Sequence, residues 1–211
     1  MKTLLWILLS ANSAFATSVD RVPADWSVVP GSKVSIKIKY TFGTHELKSN
    51  AIEGVLSQNH AFEDVSGELT VPIDSIKEGS AKLECHLRES LGLDYEKSGF
   101  PESHVCDDKN QLPASGPDSV VYPSVKLSIK RLIAAEKTKT ERYRVEGAWT
   151  IHGVTKPADF EVKVTEGPDS VSVRGDSEFA LKDFGITVKK AFVISAADKA
   201  RVEFDLKFTR P

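Results

Sequence analysis

The stretch Tyr143-Arg144-Val145-Glu146-Gly147-Ala148-Trp149-Thr150-Ile151-His152 decides how the rest of the chain is read. Tyr143, Val145, Trp149 and Ile151 fall on one side, and Arg144, Glu146, Thr150 and His152 on the other. Side chains alternate faces only along an extended strand, so this is a strand with one dry face. Seven similar runs accompany it. Val34, Ile36, Ile38, Tyr40 and Phe42 alternate with Ser35, Lys37, Lys39 and Thr41, and weaker runs span Ala51 to Ser57 and Gly67 to Ile73. Val125, Leu127 and Ile129 follow, then Phe160, Val162 and Val164. Val171, Val173, Phe179 and Leu181 form the next, and Val202, Phe204, Leu206 and Phe208 close the chain.

Period-two alternation buries one face of each strand, which predicts an antiparallel sheet. Eight half-buried strands must face each other, either as a sandwich or as one sheet closed on itself, and closure also removes exposed edges. Large apolar residues dominate the dry rows, while Gly147 and Gly175 interrupt two of them. Glycine inside a strand marks a sharp bend or the close approach of another group. The same alternation would suit a membrane barrel with its apolar face turned outward. Runs of five to seven residues fall short of the roughly nine to eleven that such a strand needs.

Lys2, the apolar run Leu4 to Leu9 and the small residues Ala14 and Ala16 predict a signal peptide, residues 1–16, cleaved after Ala16. The remainder, residues 17–211, has the length of one domain. The full chain carries 28 basic and 30 acidic residues, a net charge of −2, with lysines spread singly. That distribution argues against nucleic acid. No second apolar stretch predicts a transmembrane segment. Export to an oxidising compartment makes a disulfide between Cys85 and Cys106 the leading reading, worth about 3 kcal/mol if unstrained. The rival reading, zinc held by Cys85-His86 and His104-Val105-Cys106, suffers because adjacent side chains on a regular element diverge.

Between the third and fourth strands lies a long interruption, with the insertion at about residues 89–121. Asp74 or Ser75 reads as a helix N-cap, and Leu83, Leu87 and Leu91 follow at helical spacing. The glycines and prolines after Ser98 predict irregular structure, arranged as a lid limited by the disulfide. Motifs for nucleophilic, nucleotide or metalloprotease chemistry are absent, and the five histidines are scattered, so neither an enzyme nor a cofactor is expected.

Several segments resemble the YceI-like family of periplasmic proteins. Trp26, Ile73-Asp74-Ser75-Ile76 with Gly79, His86-Leu87-Arg88, Tyr122-Pro123, Thr150 through Pro157 and Phe184-Gly185-Ile186 match in order. The resemblance implies an all-β fold: an eight-stranded antiparallel, lipocalin-like barrel with a short helix and, here, a disulfide-closed insertion loop. It also implies a non-catalytic periplasmic protein that holds a long-chain isoprenoid or fatty-acyl lipid in an apolar tunnel. Ile36, Ile38, Tyr40, Leu127, Ile129, Trp149, Ile151, Phe160, Val162, Phe179, Phe204, Leu206 and Phe208 are the candidate wall. The alternative is a filled barrel serving as a stress-response or interaction module, with a homodimer or a periplasmic protein as partner. This chain departs from the family pattern in the long insertion between Arg88 and Tyr122, so no specific lipid is carried over.

Overall fold

The computed structural model describes residues 23–91, 121–136, 141–186 and 196–210. Their strands are β1 (Ala24–Val28), β2 (Lys33–Tyr40), β3 (Gly43–Ser49), β4 (Glu53–Gln58) and β5 (Ser66–Pro72), then β6 (Ser124–Glu136), β7 (Glu141–Ile151), β8 (Val154–Glu166), β9 (Ser170–Ala180) and β10 (Ala196–Thr209). One helix, α1 (Ala81–Leu91), stands between β5 and β6.

Ten strands make eight staves. Ser27 and Val28 of β1 pair with Thr209 and Phe208, and Lys33 to Ile38 of β2 continue along β10 from Asp205 to Ala200. β1 and β2 are therefore one stave interrupted at Val29–Ser32. Ser32 bridges the break: its hydroxyl accepts from Lys207 N and donates to Val29 O, each at 2.9 Å. β3 and β4 form the next stave, paired to β2 and β1 respectively. From there the order runs β5 to β10 and back to β1, every pair antiparallel, so the sheet closes into an eight-stranded barrel.

The dry rows point inward. Tyr143, Val145, Trp149 and Ile151 of β7 are buried, as are Ala158, Phe160, Val162 and Val164 of β8 and the row from Val202 to Phe208 of β10. Each large side chain so buried contributes about 1.5–3 kcal/mol. Outside lie ion pairs such as Arg131 with Glu146, Lys126 with Glu68 and Lys37 with Glu203. Exposed pairs of this kind add little stability but keep the outer face wet. This polarity is the reverse of a lipid-embedded barrel.

Strand length corrects one expectation. β6 to β10 span 11 to 14 residues each, long enough to cross a bilayer, so it is the inward direction of the apolar rows that argues against a membrane barrel. Gly147 and Gly175 do not break their strands. Gly147 sits beside a register shift in the β6–β7 ladder, where the extra residue bends the sheet. The first run ends at Tyr40: Phe42 lies in the β2–β3 turn and is 70% exposed. The helix starts at Ala81 rather than near Ser75, because Ile73–Ser75 forms a 3-10 turn in which the Ser75 hydroxyl donates to Pro72 O at 2.6 Å.

Candidate apolar tunnel and its mouth

The barrel encloses a cavity of about 350 Å³. All thirteen residues named above for the wall line it, together with others that the alternation did not single out. Trp26 of β1, Leu47 of β3 and Leu56 of β4 come from the strands that complete the two interrupted staves. Leu83 and Leu87 come from α1. The wall is almost wholly aliphatic and aromatic. Trp149 packs against Phe160 with ring centroids 6.1 Å apart, and Phe160 meets Phe204 edge-on at 5.5 Å. Such pairs add about 0.5–1.5 kcal/mol beyond burial and hold the wall in shape.

One end is filled by side chains. Phe62, in a 3-10 turn before β5, is 5% exposed and packs 5.8 Å from Tyr143. Trp26 lies inward with its indole Nε1 donating to Gln58 Oε1 at 2.8 Å. Burial, followed by a hydrogen bond to Glu141, pushes the Tyr143 phenol well above its ordinary pKa.

Polar groups gather where α1 meets the β2–β3 hairpin. Tyr40, His45, Glu78 and His86 all line the cavity there. The His45 ring stacks on Tyr40 at 4.2 Å, and its Nδ1 lies 2.5 Å from Glu78 Oε1. A two-bond backbone bridge between Lys48 and Lys77 fastens the same two segments, each bond 2.8 Å. Cys85 is buried on α1, and no free cysteine occurs among the described residues. Cys106, His104 and most of the insertion lie outside them, as does the leader. Among the described residues no group of three or more potential metal ligands forms.

His152 leaves the polar face of its strand for a turn. It has φ 52° and Gly153 has φ 72°, the pairing of left-handed residues that a two-residue hairpin between β7 and β8 requires. His152 Nδ1 lies 3.1 Å from Phe184 O, and its ring meets Tyr122 edge-on at 4.9 Å. Pro123 O in turn accepts from Ile73 N at 2.9 Å. Segments far apart in the chain thus converge on one end of the barrel.

A model of the YceI-like domain matches residues 26–208. The chain belongs to the YceI-like family. Among solved structures, this YceI-like protein is similar to BcnA of Burkholderia cenocepacia, at 17% identity and a TM-score of 0.61, covering 83% of this chain and 95% of that one. It is also similar to a polyisoprenoid binding domain from Saccharophagus degradans implicated in plant cell wall breakdown, at 11% identity and a TM-score of 0.60, covering 89% and 99%. The Campylobacter jejuni YCEI protein follows at 13% identity and a TM-score of 0.50, covering 79% and 85%. At these identities the likeness is one of fold. No curated relative matches the sequence.

Within the YceI-like frame, the collar of Ile73, Tyr122, His152 and Phe184 has a structural explanation. These residues pin the turns around one end of the barrel. None of these four lines the main cavity, but Ile76, Ile151 and Ile186 of the same segments do, so the family segments both pin the turns and lend the wall single side chains.

Proposed function

We propose that this protein is an exported, non-catalytic carrier that holds one long-chain isoprenoid or fatty-acyl lipid inside the barrel. The observation that carries the reading is the cavity itself. Close-packed interiors leave few voids larger than a water molecule. A space of about 350 Å³ walled by Ile36, Leu127, Phe160 and Phe204 falls in the size range of ligand sites, about 300–1,000 Å³. Its lining offers no row of donors or acceptors along the wall, so the occupant's buried length is hydrocarbon. The name of the Saccharophagus relative supports the isoprenoid class for a barrel of this shape.

Apolar burial supplies the binding free energy, about 0.8 kcal/mol per methylene. Affinity therefore rises about fourfold per added methylene until the cavity is full. Cleavage after Ala16 delivers the chain to the periplasm, an oxidising compartment that favours a bond between Cys85 and Cys106. A homologous series of fluorescent fatty acids and isoprenyl alcohols tests the reading by titration. A rise in affinity with chain length followed by a plateau supports a tunnel of finite length. Affinity independent of length would contradict it.

A further inference from the structure

The β8–β9 ladder stops short. Pairing runs from Glu166↔Val171 to Val162↔Gly175, yet both strands continue, β8 back to Val154 and β9 on to Ala180. Over those stretches β8 stays paired to β7 and β9 to β10, so the staves are intact but unjoined to each other among the described residues. Gly175 is the point of departure. A Cβ there would lie 2.8 Å from Glu161 O and 2.9 Å from the Phe204 ring, so only glycine lets β9 press in at this place and swing away beyond it. Pro157 lies in the unjoined part of β8, where a residue without an N–H costs no ladder bond on the open side.

The seam holds a second cavity of about 440 Å³, lined by Lys156 and Ala158 on one side and Ser177 and Phe179 on the other, with Phe184 nearby. Its floor includes Trp149, which also lines the tunnel, as does Phe179. Two features are out of place in an apolar wall. Trp149 is 8% exposed, yet its indole N–H meets no acceptor among the described residues. Ser177 puts a buried hydroxyl on the inward row of β9, between Val173 and Phe179. A buried donor left unmatched costs about 1–3 kcal/mol, so it calls for a partner. Because the ring lies between the two cavities, an occupant can supply that partner.

We propose that the β8–β9 seam is a lateral subsite for the oxygen-bearing end of the lipid, with Trp149 Nε1 donating to a hydroxyl or carbonyl oxygen and Ser177 beside it. The inference rests on the tunnel reading and adds where the ligand's polar end lies. The rim argues for a neutral head. Asp159, already paired with Arg144, stands with Glu178 and Asp183 against Lys156 and Lys199, so the rim offers no surplus of positive charge for a phosphate. The tail then runs from the seam past Trp149 and Phe179 into the barrel.

The test uses the whole protein, geranylgeraniol and the hydrocarbon of the same skeleton without the hydroxyl. Wild type binds the alcohol about five- to tenfold more tightly than the hydrocarbon, the worth of one matched hydrogen bond. In Trp149→Phe that preference, read as the ratio of the two affinities whatever the loss of wall contact does to both, falls below about twofold. An unchanged preference in the variant overturns the subsite and leaves the tunnel standing. Failure of wild type to bind either probe overturns the tunnel, and the subsite with it. Should Trp149→Phe fold poorly, wild type is photolabelled with an isoprenyl alcohol carrying a diazirine beside the hydroxyl. Labelling of residues 156–159 and 177–180 supports the subsite. Labelling confined to α1 and the β2–β3 hairpin overturns it.

Discussion

His45 and Glu78 face each other at 2.5 Å across the α1 end of the tunnel, joining the β2–β3 hairpin to the turn before the helix. The contact is part-buried, and the imidazole is held against Tyr40, itself a cavity residue. It is a latch between two segments that would have to separate if lipid entered at this end.

Removing the latch is expected to speed exchange more than it weakens the fold. Glu78→Ala or His45→Gln should raise the dissociation rate of a bound lipid about two- to fivefold, the scale of one part-buried hydrogen bond. Stopped-flow displacement of a fluorescent fatty acid measures this. Identical rates in wild type and both variants would mean that lipid does not pass between these segments.

The wall and the surface should respond differently to truncation. Phe208 is 2% exposed at the filled end of the barrel, whereas Phe42 is 70% exposed on a hairpin tip. Phe208→Ala is predicted to cost about 3–5 kcal/mol in urea unfolding. Phe42→Ala should stay within about 0.5 kcal/mol of wild type. Equal effects would mean that β10 is not packed as described.

Alkaline stability should depend on Tyr143. Its folded pKa is raised above the ordinary value of 10.0, chiefly by burial and then by Glu141. The folded state therefore holds the phenolic proton more tightly than the unfolded chain does. The associated stability is fully present below pH 10 and is lost as pH rises beyond it. Tyr143→Phe should flatten the fall in melting temperature above about pH 10. The same slope in both proteins would refute the assignment. At the other extreme, the Arg144 guanidinium holds the exposed Asp159 carboxyl below its ordinary range. That contribution is present above pH 4 and lost on further acidification, and Arg144→Gln should remove it without affecting the alkaline limb.

The barrel was legible wherever inward positions carry large apolar residues. β10 shows this from Val202 to Phe208, and β7 from Tyr143 to Ile151. β1 and β3 escaped for different reasons: β1 is only five residues long, with Ala24, Trp26 and Val28 on its core side, and β3 places only Leu47 as a large apolar residue, Gly43, His45 and Leu47 standing opposite Tyr40, Ile38 and Ile36. The count of eight still held, since β1 completes the stave of the clearly alternating β2 and β3 that of the weaker run in β4. Phe42 was misread because alternation cannot say where a strand turns. Ser75 resembled a helix cap, but its hydroxyl serves the preceding 3-10 turn. All thirteen wall residues face the tunnel because period two fixes their side of the sheet. The seam was invisible for the opposite reason: β8 and β9 each alternate well, and only their failure to pair beyond Val162 and Gly175 opens it.

Native mass spectrometry of the mature protein, purified from its own host without detergent, addresses the central claim most directly. The tunnel predicts an adduct of one lipid per chain, released by organic solvent and identified as an isoprenoid or fatty-acyl compound. Repeated recovery of a lipid-free barrel that also fails to take up added geranylgeraniol would contradict it.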